Sequence, residues 1–335
     1  MAGGMKLAPL MTEIKVDIKG FKSDMQKAAS MGATEADKIG KRMSVLTKAG
    51  DGLSKAGSIL TKTVSVPLVA AGTYAVKTAI DFETAYTGVT KTVDGTDRQM
   101  RKLKQGIIDM SKEIPSSTTE ISAVAEAAGQ LGIQTDNVLG FTRVMIDLGN
   151  STNLSAEEGA SALAKFANVT GMSQKDFSRL GSVIVDLGNN FATTESDIVA
   201  MGMRLAGAGT QIGMTEPQIM GFATALSSVG IEAEAGGSAF STLMANMQLS
   251  VEKGGEGLQQ FADVAGMSAE QFQTSFRDNA SGAIISFIQG LANCESQGQS
   301  AIKVLDDMGI TEIRQRDALL RAAGASGVFS DAIQT

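Results

Sequence analysis

The chain has 335 residues, which is long enough for a large core and two or three domains. Its 36 acidic residues outnumber its 29 basic ones, and the net charge of −7 argues against nucleic-acid binding through a basic face. The sequence has no histidine and a single cysteine, Cys294. It therefore excludes Ser-His-Asp and Cys-His catalytic sites, an intrachain disulfide and Cys/His metal clusters.

The first segment of the chain is basic. Residues 1–64 carry eleven Lys/Arg and six Asp/Glu, a balance of +5, so the remaining residues carry −12. Within it, residues 13–18 (EIKVDI) alternate polar and apolar side chains, which predicts one short β-strand. The rest is polar and rich in lysine. We therefore expect residues 1–59 to form a basic, partly flexible N-terminal arm.

The next segment is the most apolar of the chain and contains a long uncharged run around Pro67. The run is shorter than the roughly 20 apolar residues that span a bilayer. We predict a buried helix over residues 63–80, with Pro67 in its first turn, where a missing amide costs least. Residues 60–96 would then be this helix and its connector. The alternative is a membrane-active protein that inserts residues 60–80 into the host envelope as part of a channel.

Helical periodicity dominates after residue 96. Apolar side chains at three-four spacing predict one face of a helix, and Pro115 should end that helix because the residue before proline disfavours helical angles. Thr118 is the expected N-cap of the following helix. The apolar positions are Met100, Leu103, Ile107, Met110 and Ile114 in the first helix, and Ile121, Val124, Ala125, Ala128 and Leu131 in the second.

A glycine followed by Ile or Met and then by a polar residue occurs five times. Glycine accepts the left-handed conformation that terminates a helix, and Ser or Thr accepts from the free amides of the next helix. The predicted helix-terminating residues are Gly132, Gly171, Gly213, Gly266 and Gly309, with Thr135, Ser173, Thr215, Ser268 and Thr311 as the following caps. Capping-box-like starts are also predicted at Ser155 with Glu158 and at Thr194 with Asp197.

Two segments suggest an internal repeat. VMIDLGN (144–150) and VIVDLGN (183–189) lie 39 residues apart, and the five glycines are spaced by 39, 42, 53 and 43 residues. A period near 40 is typical of helical-hairpin arrays, although ordinary punctuation between helices would give a similar pattern. The predicted fold is all-α, a multi-helix array of short capped helices with small-residue packing. Residues 97–335 would form one compact helical module.

The remaining polar pairs do not indicate catalysis. Asp81 with Glu83, Glu157 with Glu158, and Asp306 with Asp307 lie at predicted helix starts or on solvated faces. The glycine-rich segments 206–213 and 254–257 lack the Gly-Lys-Ser/Thr ending of a phosphate-binding loop. The sequence therefore predicts no enzymatic activity, no cofactor and no metal site.

The apolar segment resembles the entry signature of phage tail tape-measure proteins, the phage minor tail protein family. In that family a Leu-Thr-x-x-Val-x-x-Pro-Leu run leads into a small-residue helix that ends in Ala-x-Asp-Phe-Glu. Segments 127–133, 154–166 and 230–247 are similar to the family's Ala-rich core. The matching signature residues are Leu60, Thr61, Val64, Pro67, Leu68, Ala79, Asp81, Phe82 and Glu83.

This resemblance implies a structural virion protein of a tailed phage or prophage, located in the tail lumen and, during assembly, in the host cytoplasm. It would act in tail assembly, tail-length determination and DNA ejection. Implied partners are tail tube and tail-tip proteins, tail assembly chaperones, a homo-oligomer inside the tube and the host envelope on ejection, with no sequence-specific nucleic acid. Family members are usually longer, so the chain resembles an N-terminal or core fragment. A hydrolase found elsewhere in such proteins cannot be transferred to it.

Overall fold

The computed structural model describes residues 66–294 and 297–334. These residues form fifteen α-helices and contain no β-strand. The prediction of an all-α fold is therefore confirmed. The predicted strand at 13–18 and the basic arm over 1–59 lie outside the described residues.

Contacts divide the chain into two units, Met1–Thr78 and Ala79–Thr335. The division falls inside the first described helix, α1 (Val66–Thr92), so the two units are described separately. Pro67 is the second residue of α1, in the first turn as predicted. In the second unit, the buried residues of α1 and its connector follow four-three-four spacing, which is one stripe of a helix. They are Phe82, Tyr86, Val89 and Val93.

The prediction that the helix is buried through residue 80 is wrong at its C-terminal end. The Ile80 side chain is 44% exposed. The reason is rotational, because Ile80 lies off the stripe that faces the neighbouring helices. An apolar run without polar interruption does not reveal which of its faces is covered.

The remaining helices are short and follow one another closely. Their bounds are α2 Asp97–Glu113, α3 Thr118–Gln130, α4 Thr135–Ser151, α5 Ala156–Thr170, α6 Phe177–Asn190, α7 Glu195–Gln211, α8 Glu216–Ser228, α9 Ala233–Lys253, α10 Gly255–Val264, α11 Ala269–Asp278, α12 Ala280–Asn293, α13 Ala301–Asp307, α14 Ile313–Gly324 and α15 Ser326–Gln334.

These helices pack in two rows. One row contains α3, α5, α7, α9 and α14, and the other contains α2, α4, α6, α8 and α15, with each helix contacting the next in its row. Helices α3, α5, α7 and α9 start 38, 39 and 38 residues apart. The period near 40 therefore corresponds to stacked helical hairpins, in which each hairpin contacts its neighbours.

Four helices interrupt this pattern between α9 and α14. Helix α10 packs on α9 and α11, while α12 packs on α10, α11, α14 and α15. The inserted helices have an aromatic core of their own. In it, the ring centroid of Phe261 lies 5.4 Å from that of Phe287 and 6.2 Å from that of Phe272. Phe222, Phe240 and Phe329 form the corresponding cluster where α8, α9 and α15 meet.

Several predicted helix starts are confirmed by side-chain hydrogen bonds. Thr215 and Ser268 each form a reciprocal capping box with the glutamine three residues later. Ser155 and Thr194 accept from the backbone amides of Glu158 and Asp197. Ile114 leaves the helical region with φ −120° and ψ 152°, so α2 ends before Pro115 as predicted.

Four predicted caps are wrong. The N-cap of α3 is Ser117, which shares a capping box with Glu120, so Thr118 is the first helical residue. An additional turn separates Ser173 from α6, and Asp176 occupies that N-cap without a side-chain capping hydrogen bond. The other two are displaced by one residue. Gln134 precedes Thr135 as the N-cap of α4, and Glu312 follows Thr311 as the N-cap of α14.

Candidate functional site

Metal-binding clusters and membrane-spanning helices are both absent from the described part of the chain. Residues 66–294 and 297–334 contain no group of three or more His, Cys, Asp or Glu that could hold a metal ion. No helix among them is long and apolar enough to cross a membrane. The buried thiol of Cys294 has a raised pKa because burial disfavours the thiolate.

Each carboxylate pair seen in the sequence has at least one member engaged in a local bond. Asp307 lies 2.6 Å from Lys303 Nζ, and Asp306 lies 3.3 Å from Arg316 Nη1. The Ser155 hydroxyl donates to Glu158 at 2.6 Å. The Ser155 bond lies at a helix start, the Asp306 pair joins two helices, and the Asp307 pair lies within one helix.

The signature residues Phe82 and Glu83 form a cluster on α1. Phe82 is buried, and its ring centroid lies 5.9 Å from that of Tyr86. Lys104 of α2 lies against both rings, with Nζ 5.8 Å from the Phe82 centroid and 5.5 Å from the Tyr86 centroid. The same ammonium group is 2.6 Å from Glu83 Oε1. We call Phe82, Glu83, Tyr86 and Lys104 the anchor cluster, because it joins α1 to α2.

The phenol of Tyr86 adds a further bond to α2. Its hydroxyl donates to the Met100 carbonyl at 2.6 Å. Burial, and secondarily the charge of Glu83, raise the pKa of Tyr86 above its ordinary value of 10.0. The phenol therefore remains protonated and able to donate at neutral pH.

Of the other signature residues, Leu60, Thr61 and Val64 lie outside the described residues. Asp81 is exposed, and Pro67 and Leu68 lie in the first turn of α1. Sequence reasoning missed Tyr86 and Lys104. The sequence could have indicated Tyr86, because it follows Phe82 by four residues and therefore lies on the same face of the helix. The Lys104 contact depends on how α2 packs, which no local pattern reveals.

All five predicted helix-terminating glycines have a positive φ, between 71° and 82°. After each, the amide of the Ile or Met donates to the carbonyl five residues earlier, which is the Schellman arrangement. A sixth copy, Gly230 with Ile231, was missed because glutamate follows it instead of Ser or Thr. The bonds are Ile133 to Ala128, Met172 to Ala167, Met214 to Gly209, Ile231 to Leu226, Met267 to Ala262 and Ile310 to Leu305.

Polar side chains connect each hairpin to the next. The side-chain oxygen of Gln174 accepts from the backbone amide of Gln134 at 2.8 Å. The side-chain NH₂ group of Gln174 donates to the backbone carbonyl of Gly132 at 3.2 Å. About half a period further along the chain, the side-chain oxygen of Asn153 accepts from the Ser196 amide at 3.2 Å. These bonds satisfy amides at the starts of α4 and α7 that have no partner within their own helix.

Glycines inside the helices allow close packing between elements. A Cβ added at Gly290 of α12 would overlap the Val264 carbonyl of α10, and one at Gly221 of α8 would overlap the Ala332 carbonyl of α15. By contrast, a Cβ at Gly207 of α7 would meet nothing within 4 Å. Some of the glycines are therefore required by packing, whereas others are not.

Comparison with known proteins relates this array to phage tails. The family model described as phage-related minor tail protein matches residues 104–309, which is more than half of the chain. A protein of Halomonas phage phiHAP-1 named "Probable tape measure protein" is 22% identical over 237 residues, or 67% of this chain. The chain covers 27% of that relative's length.

No solved structure matches the fold. The family match covers most of the stacked hairpins and the inserted helices, from the anchor-cluster residue Lys104 to the last of the five predicted glycines, Gly309. The chain therefore belongs to the phage-related minor tail protein family, a family of structural phage tail proteins.

Proposed function

We propose that this chain is the N-terminal or core module of a tape measure protein, acting in tail assembly and tail-length determination and leaving with the DNA at ejection. The observation that carries the proposal is the family match over 104–309, together with a relative named as a probable tape measure protein. Its location would be the lumen of the virion tail, and the host cytoplasm during assembly.

The module would act by packing. Its partners would be the tail tube and tail-tip proteins, tail assembly chaperones and further copies of itself inside the tube, with the host envelope contacted on ejection. No sequence-specific contact with nucleic acid and no catalytic step are assigned to it. Asp81, exposed beside the anchor cluster, would be available to such partners, while Pro67 and Leu68 would start the helix that leads into the module.

We further propose that residues 97–335 form a folded module and do not measure length themselves. Gly132, Gly171, Gly213, Gly266 and Gly309 would serve to reverse the chain between short helices. A straight helix rises 1.5 Å per residue, so 39 residues would span about 60 Å. Folded as a hairpin, the same residues add only one helix diameter to each row, about 10 Å.

The test is an in-frame deletion of one period, residues 156–194, from the complete protein in its phage. We expect tail assembly to be abolished or impaired, because the deletion removes one stacked hairpin and the bonds that cross it. An equal deletion from a long continuous helix elsewhere in the complete protein is the control, and it should shorten the tail in proportion.

Electron microscopy of the resulting particles decides between the alternatives. Intact tails in normal numbers would contradict the proposal. If those tails were shorter by about 60 Å, residues 97–335 would themselves be part of the ruler. If they kept their full length, the module would not be needed for assembly.

A further inference from the structure

A single isoleucine projects from the start of α14. The Ile313 side chain is 78% exposed, the highest value among the large hydrophobic side chains of the described residues. Most large apolar side chains in this unit are buried, and isolated exposed ones are common. Ile313 differs because it lines a groove of about 540 Å³ between the start of α9 and α14.

Buried apolar residues line this groove together with charged residues on both sides, where Asp317 and Arg321 of α14 pair with each other. Ile231 and Ala318, both buried, line the floor. Glu232 and Glu234 lie on the α9 side, and Arg314 lies on the α14 side. None of these three charged residues forms an ion pair with another residue in the described parts of the chain.

The groove is preformed by bonds that hold its two walls together. Gln315 of α14 donates to the Ala239 carbonyl of α9 at 3.4 Å. Arg316 is occupied elsewhere, because it bonds the Thr311 carbonyl at 2.8 Å and lies 3.3 Å from Asp306. Arg321 is paired with Asp317 at 3.0 Å. Arg314 therefore stands apart from its neighbouring arginines as the unpaired cation of this wall.

We propose that two copies of this chain associate through this face, with Ile313 of each copy entering the groove of the other. A projection that lies beside its own complementary groove suits two-fold symmetry, because each contact then occurs twice. The same symmetry brings Arg314 of one copy to Glu234 of the other. A single copy leaves Ile313 in water and these charges without ion pairs, and the dimer would remove both features. The inference concerns the isolated chain and does not depend on the tail-assembly role.

Charge exchange provides the sharpest test. In Arg314→Glu, two glutamates would face each other across the dimer, and in Glu234→Lys, two cations would do so. Each variant alone should dissociate at a protein concentration at least about tenfold higher than the wild type. An equimolar mixture of the two should recover association, because each mixed contact then joins opposite charges.

Isoleucine substitution tests the apolar part of the contact. Ile313→Asp should weaken association by at least about tenfold, as expected for a residue buried at the centre of an interface. Ile302→Asp is the matched control, because Ile302 is also exposed, at 54%, but does not line this groove. It should leave association unchanged. Circular dichroism of every variant checks that the helices remain folded.

Sedimentation velocity over a concentration series of the full chain measures these outcomes. A wild-type chain that remains monomeric at its highest soluble concentration would overturn the proposal. So would equal weakening by Ile302→Asp and Ile313→Asp. Failure of the mixed charge variants to associate would also overturn it, because like-charge repulsion would then not explain the effect of the single variants. Loss of tail assembly in the deletion experiment has no bearing on these measurements.

Discussion

Replacing Gly290 by alanine tests whether the small residues of this fold are required by packing. Gly290 lies in α12, where an added Cβ would overlap the Val264 carbonyl at the end of α10. The overlapping atom belongs to the backbone, so relief requires that α10 or α12 move as a whole. Gly207→Ala in α7 is the matched control, because it adds the same methyl group at an exposed helical position with nothing within 4 Å.

The two substitutions should have opposite signs. Overpacking costs about 1–3 kcal/mol, and a rigid backbone neighbour places Gly290→Ala near the upper value. Alanine recovers about 1 kcal/mol of helix propensity at either position. The expected changes in unfolding free energy are therefore a loss of about 2 kcal/mol for Gly290→Ala and a gain of up to about 1 kcal/mol for Gly207→Ala.

Thermal unfolding followed by circular dichroism measures the difference. For a unit of this size, 1 kcal/mol corresponds to about 2–4 °C in Tm. Gly290→Ala should melt at least about 4 °C below the wild type, and Gly207→Ala should melt at or slightly above it. If Gly290→Ala melts at the wild-type temperature or higher, close approach of α10 and α12 is not what requires the glycine, and the reasoning fails.

Two further substitutions, each with a control, test the anchor cluster and the helix caps by the same melting assay. Lys104→Met should lower stability by about 1 kcal/mol through loss of the Glu83 ion pair and the ring contacts. Lys112→Met, which removes an exposed pair, should have a smaller effect. Thr215→Ala should cost about 1 kcal/mol by removing a capping box, while Thr311→Ala, outside any cap, should cost little. Because the pKa of Tyr86 is raised in the folded state, its contribution to stability is complete below pH 10 and is lost as pH rises through the folded pKa. Ultraviolet titration of a chain whose other tyrosine is phenylalanine should show ionisation at a higher pH in the folded state than after denaturation.

The helix ends that the sequence predicted correctly depend on local chemistry. Gly213 followed by Met214 and Thr215 ends one helix and starts another within three residues, and the structure has both features. The failures are also local. At Ser173 the same pattern is followed by an extra turn, so the cap falls to Asp176. A glycine can fix where a helix ends without fixing how many residues pass before the next begins.

The packing of the anchor cluster could not be predicted in the same way. The Asp-Phe-Glu signature pointed to α1, but Lys104 contributes from another helix after a turn that includes Thr96. Likewise, Gln174 has no special sequence context, yet its side chain bonds three residues of the preceding hairpin. Such contacts depend on the register between helices. That register is set by the whole interface and not by any one segment.

The common span of these bonds, close to 40 residues, argues that the period is a structural unit. Gln174 bonds residues 40 and 42 positions earlier, and the Asn153–Ser196 bond spans 43 positions. A neutral hydrogen bond contributes only about 0.5–1.5 kcal/mol, so no single bond determines the array. Their role is to fix position, because each holds the start of one helix against a neighbouring hairpin. A chain built in this way can change by whole periods far more readily than by a few residues, since a shift of partial length would misplace every later cap and every bond between hairpins.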